Sequence, residues 1–206
     1  MALKSSAKGG SGGFEPIPVG THIARCVSVI DLGHQESEYK GEVKIQEKVY
    51  IGFEVPGVRV SWTKDEVEHE GAGLIGSIYT NSIYEKANLG GHLISWRGRP
   101  FTDEEKDSFD LFTILDVPCM LSVIHKPSKD GTRVYANIGA IMGLPKDTPP
   151  PERETPILGY SPNDVERCDI EGVPEWLQKI MEKQVIVSPE QESPPPVDDF
   201  DDDIPF

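Results

Sequence analysis

"VKIQEKVYIGFEV", residues 43–55, alternates over its whole length. Val43, Ile45, Val49, Ile51, Phe53 and Val55 share one side of an extended chain, and Lys44, Gln46, Lys48, Tyr50 and Glu54 share the other. Successive side chains of a strand point to opposite sides, so a period of two identifies a strand and argues against a helix. The pattern predicts one face in a core and the other in water.

Strand signals continue on both sides of that run. "THIARCVSVIDL" (residues 21–32) is rich in β-branched residues, and "VRVSW" (58–62) and "LIGSIYT" (74–80) are shorter candidates. Further on, "VPCMLSVIHK" (117–126) and "RVYANIGAI" (133–141) flank "PSKDGT", where Asp130-Gly131 marks a hairpin turn. One helix interrupts them. "SIYEKANLGGHLISW" (82–96) sets Ile83, Ala87, Leu93 and Trp96 near helical spacing; Gly98 ends it, Arg97 lies by its last carbonyls and Pro100 follows. The tandem Gly90-Gly91 weakens that helix. "TDEE" (102–105) is a capping box for a second, short one. The order of three strands, a helix and two strands is that of an OB-fold, a mainly β five-stranded barrel with its helix between strands 3 and 4. An all-β sandwich and a half-open barrel share the same signals. The expected domain spans residues 14–143.

The flanks read differently. Residues 1–13 are Gly/Ser-rich with two lysines, a composition expected to form a disordered arm. Residues 144–172 open with "LPKDTPPPERETP" and are expected to be a Pro-rich linker. A short amphipathic helix is expected over 173–184, with Pro174 in its first turn and Trp176/Ile180 and Leu177/Met181 at i,i+4. Such a stretch folds back on its own core more often than it docks a partner. Residues 185–206 are expected to be a disordered acidic tail.

The formal charge of -15 argues at first against a nucleic-acid partner. Its distribution weakens that objection, because residues 148–206 hold fifteen acidic and four basic residues, leaving a net of only -4 for 1–147. Cys26, Cys119 and Cys168 lie far apart with no CxxC spacing, which suggests neither a disulfide framework nor a zinc site. No histidine pairs with another ligand at metal spacing, and no nucleophile elbow, phosphate-cradling loop or HExxH is present. The expectation is a protein that is not an enzyme and carries no metal or cofactor. No apolar run approaches the ~18 residues of a membrane span, and residues 1–13 lack the hydrophobic stretch of a leader. A soluble protein of a reducing cytoplasm is expected.

Two places carry candidate chemistry. On the polar faces of the second and last strands, Lys44, Lys48 and Tyr50 and then Arg133, Tyr135 and Asn137 alternate cation and aromatic, and the hairpin adds Lys126 and Lys129. Lysines track the phosphates of a single strand and aromatic faces receive its bases, each stack contributing about 1–3 kcal/mol. The bland reading of the same residues is ordinary solvated strand faces. Arg97 and Arg99 are explained by the helix end, and His22 by a structural role. The second place is "DDFDDDIPF", residues 198–206. It cannot build a core, yet it closes on Ile204, Pro205 and Phe206.

That closing run resembles the acidic tip of bacterial single-stranded-DNA-binding proteins, in which an OB-fold, a linker and an Asp-Ile-Pro-Phe end come in that order. The resemblance implies that Asp201, Asp202, Asp203, Ile204, Pro205 and Phe206 form a docking peptide for host replication, recombination and repair enzymes. The runs at 84–105 and 118–141 look like those of phage-encoded single-stranded-DNA-binding proteins. This implies a non-enzymatic binder that coats single-stranded DNA in a bacterial host cytoplasm. A homo-oligomer is compatible with it, although the usual bacterial opening motif is missing, which puts the family's homotetramer in doubt. A recombination mediator or strand-annealing protein is the alternative; a DNA-mimicking decoy fits less well, because the charge is confined to the tail.

Overall fold

The alternating run forms the middle of β2 (Glu42–Lys64), which also absorbs the candidate strand at 58–62. Pro56 and Gly57 do not end the strand: its register with the next strand shifts between Val55 and Arg59, and the chain continues. This computed structural model describes residues 16–39, 42–64, 67–128 and 130–186. The expected arm at 1–13, Lys129 and the tip Asp201–Phe206 lie outside the described residues.

β1 (Gly20–Tyr39) and β3 (Val67–Thr80) flank β2, and β4 (Pro118–Pro127) and β5 (Val134–Met142) continue the sheet beyond β1. The order is β3-β2-β1-β4-β5, each pair antiparallel. A short sixth strand, β6 (Leu158–Tyr160), pairs parallel with Ser28–Ile30 of β1. The protein is therefore mainly β. Among the described residues β3 and β5 approach each other but share no ladder, so the sheet is not a closed barrel.

The gap between them is spanned by α1 (Asn88–Arg97), which lies in sequence between β3 and β4. Leu89, Leu93 and Trp96 of α1 join Val49, Ile51, Phe53 and Val55 of β2 in the main core, with the Phe53 and Trp96 rings 5.7 Å apart. His92 of α1 meets both sides of the gap: the Tyr79 hydroxyl of β3 is 3.1 Å from its Nδ1, and it hydrogen-bonds the backbone of Gly139 in β5. The helix starts six residues later than the sequence predicts. A Cβ on Gly90 would overlap the Tyr84 carbonyl, so the glycine that weakens the helical pattern is what lets the preceding loop lie against it. Gly98 takes the left-handed cap and the Thr102–Glu105 capping box forms at α2 (Asp103–Ser108).

The opposite face of the β1–β2–β3 half is not wet, contrary to the sequence expectation. Ile30, Leu32 and Ile78 on that face form a second core with Tyr160, Val173, Leu177 and Met181, the last two from α3 (Glu175–Met181). The chain from 149 to 186 is thus a strap laid across the sheet. Alternation reports which residues share a face; whether distant chain covers that face is written elsewhere.

Candidate nucleic-acid interface

The strap decides what the β2 candidates can do. Lys48 is buried, and its ammonium donates to Thr80 Oγ1 at 2.8 Å. Glu54 is fully buried and accepts the backbone N–H groups of Glu154 (2.8 Å) and Thr155 (2.5 Å), which moors the strap to β2. Tyr50 is half-buried. Its ring lies over Gly76 and Gly52, where a Cβ on Gly76 would overlap it, and the Trp176 ring of α3 meets it edge-on at 5.4 Å. Burial pushes its phenol up to about 12. Lys48 and Tyr50 therefore do not form the exposed cation–aromatic pair that alternation suggested. Lys44 sits further out, on the ribbon where β2 pairs with Ser37 of β1, and is partly exposed.

Further fastenings hold the strap. Arg25 donates to the Pro151 carbonyl at 3.1 Å and to Asp116 at 2.9 Å, and Arg153 reaches the same Asp116 carboxylate at 3.0 Å. Those two guanidiniums, Arg25 first, hold the Asp116 carboxyl below its usual range. Ser161 donates to Asp31, and Val185 N–H to the His34 carbonyl at 2.8 Å. Burial of Val173, Leu177 and Met181 alone contributes roughly 5–9 kcal/mol at about 1.5–3 kcal/mol per side chain. A base stacked on Tyr50 would return about 1–3 kcal/mol. One base stacked on Tyr50 would not offset the loss of these contacts.

The β4–β5 candidates stand differently. The hairpin turns at Gly131 (φ 69), and the Asp130 carboxylate accepts from the Ser128 hydroxyl, from Thr132 N–H at 3.0 Å and from Thr132 Oγ1 at 2.8 Å. These donors, Ser128 first, pull the Asp130 carboxyl down to about 2. Below the turn Lys126 lies directly across from Tyr135, and Ile124 from Asn137. Arg133, Tyr135 and Asn137 share the outward side with Lys126 and Ile124 by strand alternation. Arg133 and Lys126 are exposed and Tyr135 is partly so. Of the seven groove candidates, Lys126, Arg133 and Tyr135 are brought together, while Lys44, Lys48 and Tyr50 lie on β2, two strands from β4 and three from β5, and are paired with the far end of β1.

The outward face continues from β4 onto β1, where Thr21 pairs with Ser122 and Ile23 with Met120. Ile23 and Ile124 are about 40 % exposed (40 and 39 %). Sequence reading missed both; the signal was the same period-two count carried from Tyr135 through the strand register. Thr21 and Ile23 also edge a recess of about 420 Å³ between Val55–Gly57 and Pro149–Pro151.

The remaining candidates are structural. Glu105 takes both Arg97 and Arg99, with Arg99 Nη1 at 2.8 Å, and Arg97 stacks over the Phe101 ring at 4.1 Å. His22 Nε2 lies 2.7 Å from the Pro18 carbonyl. Cys26 and Cys119 are buried free thiols, their pKa values pushed up by burial, and Cys168 is free and exposed. Among the described residues no group of three or more His, Cys, Asp or Glu is placed to hold a metal, and no helix is long and apolar enough to cross a membrane. Comparison with protein-family models, curated proteins and solved structures finds no match to this chain.

Proposed function

We propose that the chain is a single-stranded-DNA-binding protein built on a half-open OB-type barrel, with residues 198–206 as a docking peptide for replication and repair enzymes. The strand order β3-β2-β1-β4-β5 with α1 after β3 is the order of that fold opened between β3 and β5. A fold does not imply a function, so the observation that carries the reading is the β4–β5 hairpin, where Lys126, Arg133 and Tyr135 stand together. Cations beside an aromatic ring suit a charged backbone with unstacked bases. The resemblance of the acidic tip supports the second half of the reading, with acidity steering an encounter and Ile204 and Phe206 anchoring it.

The test is a titration with oligo(dT), duplex DNA and an RNA of equal length across a salt series. Oligo(dT) is expected to bind most tightly, with affinity falling as salt rises. Equal or absent binding to all three overturns the reading. For the tip, deleting Phe206 is expected to abolish capture of repair and replication enzymes from bacterial lysate while leaving oligo(dT) affinity unchanged; the same partners with and without Phe206 would refute it.

A further inference from the structure

We propose that single-stranded DNA runs over the outward face of β1, β4 and β5, and not over the β1–β2–β3 face that the strap closes. This rests on the reading of the chain as a single-stranded-DNA binder. The closed face has its aromatic ring, Tyr50, already occupied by Trp176, its lysine bound to Thr80 and its carboxylate bound to the strap backbone. On the open face the corresponding groups meet solvent: Lys126 and Arg133 are exposed and Tyr135 is partly so. Lys126 and Arg133 stand at its hairpin end, Tyr135 lies directly across from Lys126, and the amide of Asn137 follows on the same side. Beyond them Ile124 and Ile23 offer half-exposed apolar surface between Ser122 and Thr21, and no carboxylate interrupts the row from Tyr135 to Thr21.

Charge at one end and apolar surface along the rest match a strand that enters by its phosphates and lays its bases flat. From Met120 to Lys126 the platform is ~20 Å long, enough for a few nucleotides. It ends at the recess edged by Thr21 and Ile23 and walled by Val55, Pro56 and the prolines at 149–151, where the last base can leave the platform. Asp130, the acidic group at the hairpin tip, is tied down by Ser128 and Thr132.

Full-length protein is titrated with oligo(dT) and, separately, photocrosslinked to bromodeoxyuridine-substituted oligo(dT), with crosslinked peptides mapped by mass spectrometry. Tyr135→Ala is expected to weaken binding roughly 5- to 150-fold with an unchanged salt slope. Lys126→Ala and Arg133→Ala each flatten the log–log salt slope by about 0.7, and Trp176→Phe leaves affinity within about twofold. Tyr135→Phe keeps the ring and restores binding, which separates stacking from misfolding. Crosslinks are expected in the peptides holding Ile23 and Tyr135. Wild-type affinity in Tyr135→Ala, with crosslinks at Tyr50 or Trp176, overturns the path and leaves the functional reading standing. No binding by the wild type overturns both. If Ile124→Lys shifts the sedimentation mass and leaves DNA affinity unchanged, the face is a contact between copies and the path is refuted.

Discussion

On the β1–β2–β3 half of the sheet the outward face carries Lys48, Tyr50 and Glu54 and is covered; on the β1–β4–β5 half it carries Ile23, Ile124 and Tyr135 and is open. Polar side chains are thus buried on one half, and large apolar ones stand exposed on the other. Burial here follows what crosses the face and whether each polar atom finds a partner there. Glu54 is tolerated at full burial because two backbone N–H groups meet it, and Lys48 because Thr80 does. Ile124 stays exposed because no segment among the described residues is moored across it.

The contrast can be broken most severely at Leu177, which is fully buried under the strap. Leu177→Ala is expected to cost about 2–5 kcal/mol in urea unfolding, whereas Ile124→Ala on the open face should shift stability by no more than about 0.5 kcal/mol. Equal losses would mean that the open face is covered as well. Next in size is Glu54→Ala, expected to cost about 1–3 kcal/mol by leaving the Glu154 and Thr155 N–H groups without their acceptor. Hydrogen exchange at those two amides should accelerate in the variant, and unchanged protection would show that Glu54 does not moor the strap.

The smallest effect concerns the seam between the halves. Burial lowers the pKa of His92 below its usual 6.5, against the opposing hydrogen bond to Gly139. The unfolded chain therefore takes up a proton at a higher pH than the folded one. The stability that the neutral ring contributes is full above about pH 6.5 and declines as pH falls toward 5. Carboxylates held low, such as Asp116, lose their contribution only as pH drops below about 4. His92→Gln should flatten the stability profile between pH 7 and 5; an unchanged slope would remove His92 as its cause.

Much of the sheet was legible because its signals are local. Alternation found β2, Asp130-Gly131 found the β4–β5 turn, and Thr102–Glu105 found α2. The Trp176–Met181 pattern was read as folding back on its own core, and it does. The strap itself was not legible. Its prolines read as a spacer, and its fastenings join residues about a hundred positions apart, such as Glu54 with Glu154 and Arg25 with Pro151. No window of sequence contains both partners. The same blindness put Lys48 and Tyr50 in solvent, while the hairpin candidates, whose neighbours lie within twenty residues, were brought together by the register that the turn sets.

The parallel pairing of Ser28–Ile30 with Leu158–Tyr160 also fixes an order of events during synthesis. β1 to β3 end at Thr80 and are synthesised long before residue 158, so a nascent chain can pair them while Ile30, Leu32 and Ile78 still face the solvent. Pairing across that sequence distance is slow, because the entropy of closing the loop is lost before any contact offsets it. For that interval the molecule carries an apolar patch that its mature form hides, and a stalled or clipped chain would keep it. Proteins that end before α3 should therefore aggregate, and they should be the form on which chaperones act.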